Sequence, residues 1–392
     1  MISISEAILA IKNTAKPLLK ETTKPIHKAG GYFLFNDVYS PINMPPFRQS
    51  AMDGYALCLH NELTYNIIGE VKAGDAHEPI LKHGEAVRIF TGAAVPSSAN
   101  AIMMQEKVTR KDNKITISEQ IEKNHNVRPI GEQVKEGDIA LKKGTKLSAA
   151  AIGYLISLGI VDVSVFQKPN IAILTTGNEL IEAEQELTYG KIYESNSKML
   201  LSALYSLKFY DVTIHKVEDD YKETVLKLKS VIAENDVVII TGGISVGDYD
   251  FVGKALNKLQ VEEVFYKVKQ KPGKPLFYGI KNNTNIFALP GNPAAALTCF
   301  YIYVFIALKK MMLVDDIELP RVKAKAVSNF NKNGDRPQFL KAIFNDGEVK
   351  ILEGQNSSML QTFALSNALV FSPEEQLQIN IGDFVETIIL PI

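Results

Sequence analysis

The sequence predicts a multi-domain α/β protein: a central doubly wound αβα domain, an inserted mostly-β module before it and a small C-terminal β-barrel after it. Three observations carry this. Between residues 169 and 318, buried β-branched runs alternate with helical patterns, as in a largely parallel sheet covered on both faces. Between 44 and 137, short β patterns are separated by Gly, Pro and His. Beyond 319, period-two alternation returns in three stretches. At 392 residues the chain has room for two or three domains of about 150 residues each.

In chain order, Ser3 and Glu6 are spaced as a capping box, and Ile4, Ile8 and Ile11 follow one helical face. The first apolar run, residues 7–11, is too short for a signal-peptide core, so no export signal is expected. In the β module, strands are expected at 65–68, 86–89, 101–105 and 114–118. Helical patterns lie on either side of it, within 1–43 and 138–168 and most clearly at 148–158, so those two stretches form one domain with the β module inserted.

In the central domain the expected strands are 171–175, 211–215, 237–240, 264–268, 276–280 and 285–289. Helices are expected at about 196–207, 221–233 and 249–259. Residues 294–308 are apolar except for Thr298 and end at Lys309-Lys310. The run is shorter than the ~20 residues of a membrane span, and Pro293 suits a first helical turn, so a buried core helix is expected. In the tail, alternation marks 321–330, 339–344 and 384–390.

Composition narrows the function. There are 43 Lys+Arg against 44 Asp+Glu, a net charge of −1, so no overall pull on nucleic acid or an anionic membrane is expected. Hydrophobic residues make up 46% and charged residues 22%, the balance of a folded chain. Cys58 and Cys299 are the only cysteines, which excludes a disulfide framework and a multi-Cys metal site. The expectation is a soluble, multi-domain, cytoplasmic protein.

Ligands of parallel sheets bind beyond the carboxyl ends of the strands. Three loops are expected there. In Thr241–Asp250 (TGGISVGDYD), Gly242, Gly243 and Ser245 open a phosphate cradle, while Asp248 and Asp250 would repel phosphate unless a cation such as Mg²⁺ lay between them. In residues 268–275, Lys271 and Lys274 sit on a loop stiffened by two prolines. In residues 288–294, Pro290 and Pro293 brace a strand-to-helix turn. Each loop read alone is equally a structural turn; together they are better grounds for an anion site. Two polar turns in the β module, 50–56 and 90–96, carry no role that composition can assign.

SAMDGYA, FTGAAVP, TTGNE, VEDD, TGGISVGDYD, KPGKP and LPGNP occur here in the order seen in the MoeA-type molybdopterin molybdenumtransferases, the family that includes the C-terminal part of gephyrin. The chain resembles that family over nearly its whole length, as far as Gly354-Gln355-Asn356-Ser357-Ser358. The resemblance implies four domains: an elongated linker domain from 1–43 and 138–168, the insert 44–137, an αβα domain 169–318 resembling the molybdopterin adenylyltransferases, and a barrel 319–392. It further implies an elongated homodimer that inserts molybdenum from molybdate into adenylylated molybdopterin, releasing molybdenum cofactor and AMP.

Carried over by motif, the catalytic acids fall on Asp53, Glu179, Asp219 and Asp250, of which Glu179, Asp219 and Asp250 would hold Mg²⁺. Substrate contacts fall on Thr91, Arg128, Lys267, Lys271, Lys274, Pro290, Pro293 and Ser357. Asp53, Thr91 and Arg128 are expected to serve the partner subunit's site. A molybdopterin adenylyltransferase and recipient apo-molybdoenzymes are implied as partners. The chain departs from the family at Asn178 and Glu194, where Asp is usual, at 128–133, which lacks extra arginines and an acidic residue, and at 356–358. Two other readings compete: the adenylyltransferase step itself, and a non-catalytic scaffold of the gephyrin kind.

Overall fold

The computed structural model describes residues 1–244, 251–313 and 317–392. They form two compact units, one made of 1–20 with 167–392 and the other of 21–166.

The first unit is built on a six-stranded sheet in the order Val212–Val217, Ile171–Thr176, Val237–Thr241, Thr284–Leu289, Phe277–Lys281, Glu262–Tyr266. The first four strands are parallel, and the last two join antiparallel as a hairpin edge. Two reversals bring Glu262–Tyr266 back to the direction of the parallel strands, so the loop after it leaves from their carboxyl edge. Ile171–Thr176 and Val237–Thr241 are buried at every position, as unbroken apolar strands between two helical layers must be. Leu228, Val231, Val252 and Leu256 from helices Tyr221–Glu234 and Phe251–Lys258 pack on Val238 and Ile240.

The long apolar segment is a core helix, Pro293–Met311, buried along nearly all its length and carrying a π turn at Phe300–Val304. The N-terminal helix Ile4–Thr14 has the capping box: Ser3 Oγ accepts from Glu6 N, and Glu6 Oε2 accepts from Ser3 N. It belongs to this unit, whereas the sequence placed it in the elongated domain. Its apolar face packs on the core helix, Leu18 N donates to Met311 O, and Lys12 pairs with Glu318.

A closed barrel completes the unit: Arg321–Ala326, Glu348–Ile351, Gln338–Asn345, Ala368–Ser372 and Phe384–Ile389, filled by Ala324, Leu340, Val349, Val370 and Val385.

In the second unit, six strands run in the order Ala101–Met104, Gly54–Leu57, Glu85–Ile89, Thr64–Val71, Lys114–Ile117, Val108–Lys111. Gly54–Leu57 is central, with Tyr55 and Leu57 buried in one core and Ala56 in another. A further core joins Ile26, Leu34, Leu147, Leu155 and Val165 around helix Ala149–Ser157. Residues 21–43 contribute strands and a short 3-10 turn to it rather than the expected helices: Glu21–Pro25 pairs with Asp162–Phe166.

Candidate active site

At the carboxyl edge of the parallel strands the first unit opens a cleft of about 770 Å³. Glu179, Asp219, Gly242, Gly243, Pro290 and Pro293 all line it. Asp219 stands two residues past the end of Val212–Val217, and Glu179 three residues past the end of Ile171–Thr176. The two acidic loops are tied reciprocally: Asn178 N donates to Asp219 Oδ2 at 3.2 Å, and Asp219 N donates to Asn178 Oδ1 at 3.0 Å. Asn178, a departure from the family pattern, thereby holds Asp219 in place. Lys191 and Lys216 clamp the same loop by donating to the carbonyls of Asn178 and Leu180. Glu194, the second departure, is buried, and its carboxylate accepts from Ser197 N and Oγ at the start of helix Asn196–Ser206. Its carboxylate is engaged in holding the first turn of that helix.

The cradle is sterically specific. Gly242 and Gly243 have φ of +92° and +61°, and a Cβ on Gly243 would stand 2.7 Å from both Thr176 Oγ1 and Val252 Cγ2. Only glycine leaves backbone open to a ligand there. Asn196 spans two strand ends, donating from Nδ2 to Thr241 Oγ1 at 2.7 Å and Gly291 O at 2.8 Å. Since the Gly291 carbonyl can only accept, Nδ2 is fixed and Oδ1 must face elsewhere. Among the described residues, Asn196 Oδ1 and Thr176 Oγ1 are buried without a hydrogen-bond partner. Buried polar atoms rarely go unpaired, and these two belong to residues that line the cleft, where a ligand can complete them.

A second compartment of about 450 Å³ shares Pro275, Pro290, Asn292 and Ser358 with the first and is lined by Lys271, Lys274, Arg336 and Ser357. Its floor is a buried network: Gln270 Nε2 donates to Gly273 O at 3.1 Å, Tyr303 OH bonds Gln270 Oε1, and Arg336 donates to Gln270 O at 3.0 Å. Lys271 is half-buried and Lys274 exposed, and among the described residues neither makes an ion pair. Asn292 Nδ2 donates to Ser357 Oγ at 2.9 Å, linking the helix start to the barrel loop. Lys267 lines neither compartment; its ammonium lies 4.6 Å from the centre of the Tyr266 ring. Arg336 was not singled out from sequence, because it lies in the polar loop between Phe330–Asn331 and Gln338–Asn345, where a lone arginine carries no motif. Ser245 and Asp250 lie outside the described residues.

In the second unit, Asp53 Oδ1 accepts from both Thr91 N and Thr91 Oγ1 at 2.7 Å. These two bonds, the backbone one first, hold the exposed Asp53 carboxyl below its ordinary range. Arg128 pairs through its backbone with Gln49, whose amide donates to Gly92 O. All three predicted residues of this unit therefore surround one turn.

An all-oxygen set suits a hard divalent cation. Glu179, Asp219, Thr176 and Asn196 line one cleft, and their oxygens are donors of the kind such an ion takes. Among the described residues no group of three His, Cys, Asp or Glu forms a metal cluster.

Comparison with known proteins agrees with this geometry. Residues 2–159 match the MoeA N-terminal region (domain I and II), 172–310 the family described as "Probable molybdopterin binding domain", and 323–390 the MoeA C-terminal region (domain IV). The chain is 31% identical to a molybdopterin molybdenumtransferase of Staphylococcus epidermidis, across 99% of this chain and 95% of that one. It is 33% identical to one of Haemophilus influenzae, across 92% and 91%. The crystal structure of the molybdopterin biosynthesis moeA protein from Pyrococcus horikoshii OT3 superimposes with a TM-score of 0.81 at 28% identity, covering 99% of this chain and 100% of that one. Cleft, cradle and paired acids thus stand in a chain related end to end to one set of enzymes, and it belongs to the molybdopterin molybdenumtransferase family.

Proposed function

We propose that the protein inserts molybdenum from molybdate into adenylylated molybdopterin, releasing AMP and molybdenum cofactor. The observation that carries this reading is the pairing of two joined compartments on one sheet edge. One has a glycine cradle and two carboxylates, the other three cationic side chains. A substrate with a pyrophosphate needs the first, and a tetrahedral oxyanion needs the second.

The cradle glycines and the N-terminus of helix Pro293–Met311 face the phosphates. Lys271, Lys274 and Arg336 gather molybdate beside them, where the two dithiolene sulfurs can replace oxygen on molybdenum as the displaced oxygen leaves as water with the thiol protons. Water cleaves the phosphoanhydride, its oxygen passing to one phosphate as the other leaves, so AMP and the pterin phosphate separate. Mg²⁺ held by Glu179 and Asp219, with Asp250 expected to join them, would neutralise phosphate charge.

We further propose a homodimer acting in the cytoplasm, in which the Asp53–Thr91–Arg128 turn completes the partner's site. It would take its substrate from a molybdopterin adenylyltransferase and hand its product to apo-molybdoenzymes. Reconstitution tests the activity: with molybdate and adenylylated molybdopterin, the protein should activate an apo-molybdoenzyme and release AMP. Adenylylation of molybdopterin from ATP, without insertion, would favour the adenylyltransferase reading instead. A monomer by light scattering at micromolar concentration would overturn the composite site.

A further inference from the structure

Lys341 is 3% exposed, inside the C-terminal barrel. Lysines are almost never buried this deeply without a carboxylate. Here the ammonium instead donates to three backbone carbonyls: Gly354 at 2.8 Å, Asn356 at 3.1 Å and Met359 at 3.1 Å. Three N–H groups meet three acceptors, the full capacity of an ammonium. The backbone of the same residue is held as well, since Lys341 N donates to Gln355 Oε1 and Gln355 Nε2 donates to Lys341 O, both at 2.9 Å.

All these acceptors belong to one loop, 354–359, and that loop carries Ser357 and Ser358 to the cationic compartment. Ser357 in turn accepts from Asn292 at the start of the core helix. Desolvation favours the neutral amine and pushes the Lys341 ammonium down to about 8. An apolar side chain would fill the same space with no desolvation cost. The charge is useful here only for its directed bonds.

We propose that Lys341 is a positioning residue for the oxyanion compartment, fixing the 354–359 loop so that Ser357 and Asn292 hold their places at its mouth. This rests on the reading that the compartment takes molybdate. Lys341→Met keeps most of the side-chain volume, one heavy atom shorter, and removes all three bonds. In the full-length protein, the expected result is a KM for molybdate raised about tenfold, kcat at saturating molybdate within about threefold, and faster amide exchange confined to 352–362. Asn292→Ala cuts the other end of the link. Asn292 is exposed and its side chain makes no helix-cap bond, so this variant should fold even if Lys341→Met does not. It should raise the same KM, and the double variant should be no worse than the worse single one.

A wild-type KM in Asn292→Ala, or a Lys341→Met enzyme with wild-type KM and exchange, would overturn the proposal. So would a loss confined to kcat. If the wild-type protein inserts no molybdenum, the functional reading fails by itself, and the exchange data still report whether Lys341 holds the loop.

Discussion

Lys271→Ala removes one charge from the oxyanion compartment without releasing its loop. Lys271 N donates to Pro337 O and its carbonyl accepts from Phe339 N, both at 2.9 Å, so the backbone stays pinned to the barrel when the side chain is lost. The side chain is half-buried and, among the described residues, makes no ion pair, so its charge is available to a ligand. A charged hydrogen bond in a partly desolvated site contributes about 2–3 kcal/mol, or roughly 30- to 150-fold in affinity. Lys274 is exposed and its field is screened by salt, so Lys274→Ala should cost less than about fivefold. Lys267 lies over the Tyr266 ring, away from both compartments, so Lys267→Ala should stay within about twofold of wild type. Titrating molybdate against cofactor formed gives all three numbers, with high molybdate partly rescuing Lys271→Ala. Superimposable curves for wild type and Lys271→Ala would refute the reasoning, as would equal losses at positions 267 and 271.

Gly242→Ala puts a Cβ into the Thr176 carbonyl at a φ of +92°, which should cost roughly 2–4 kcal/mol and lower Tm by several degrees in calorimetry. An unchanged Tm would show that the cradle can yield. Thr91→Val removes the hydroxyl bond to Asp53 and keeps the backbone bond, so the Asp53 pKa, followed by carboxyl NMR, should rise while staying below the ordinary carboxylate value. Because the folded-state pKa is depressed, the stability Asp53 contributes is present above the ordinary carboxylate pKa and is lost as pH falls through the lowered one. The variant should therefore be less stable at neutral pH and converge with wild type in acid; parallel curves would refute this. Asn178→Asp retains the oxygen that accepts from Asp219 N and adds a carboxylate beside Glu179 and Asp219. Mg²⁺ binding by calorimetry should tighten severalfold, and no change would argue against an ion between those acids.

Much of the central sheet was legible in the sequence because its strands are buried on both faces and read as unbroken β-branched runs. Val237–Thr241 is the clearest case. Gly54–Leu57 was read as a turn, although it is a central strand. Its first residue must be glycine because a side chain would run into the Met103 carbonyl of the adjacent strand, and so small a residue carries no strand signal. Barrel strands Glu348–Ile351 and Ala368–Ser372 were missed because they are short and the second is apolar at most of its positions, which hides its period. In the site, acids and glycines announce themselves by motif. Lys341 and Asn196 do not, because their importance lies in which carbonyls and hydroxyls the fold brings to them. Asn178 and Glu194 looked like weakened ligands in sequence, and the structure shows both engaged in holding backbone.

The chain leaves the first unit at Lys20 and rejoins it at Gln167, where Gln167 N donates to Lys20 O at 2.9 Å. Everything between forms a unit of its own. On the ribosome this imposes a schedule. Residues 21–166 can complete their cores as soon as they emerge, but the helix Ile4–Thr14 has no surface to settle on until its partners arrive. Those partners are Lys267 for Ile2, Met311 for Leu18 and Glu318 for Lys12. This early segment is therefore among the last to dock, and its apolar face, Ile4, Ala7, Ile8 and Ile11, stays uncovered until those partners are made. A nascent chain stalled before about residue 270 should show a folded middle and an N-terminal helix open to chaperones.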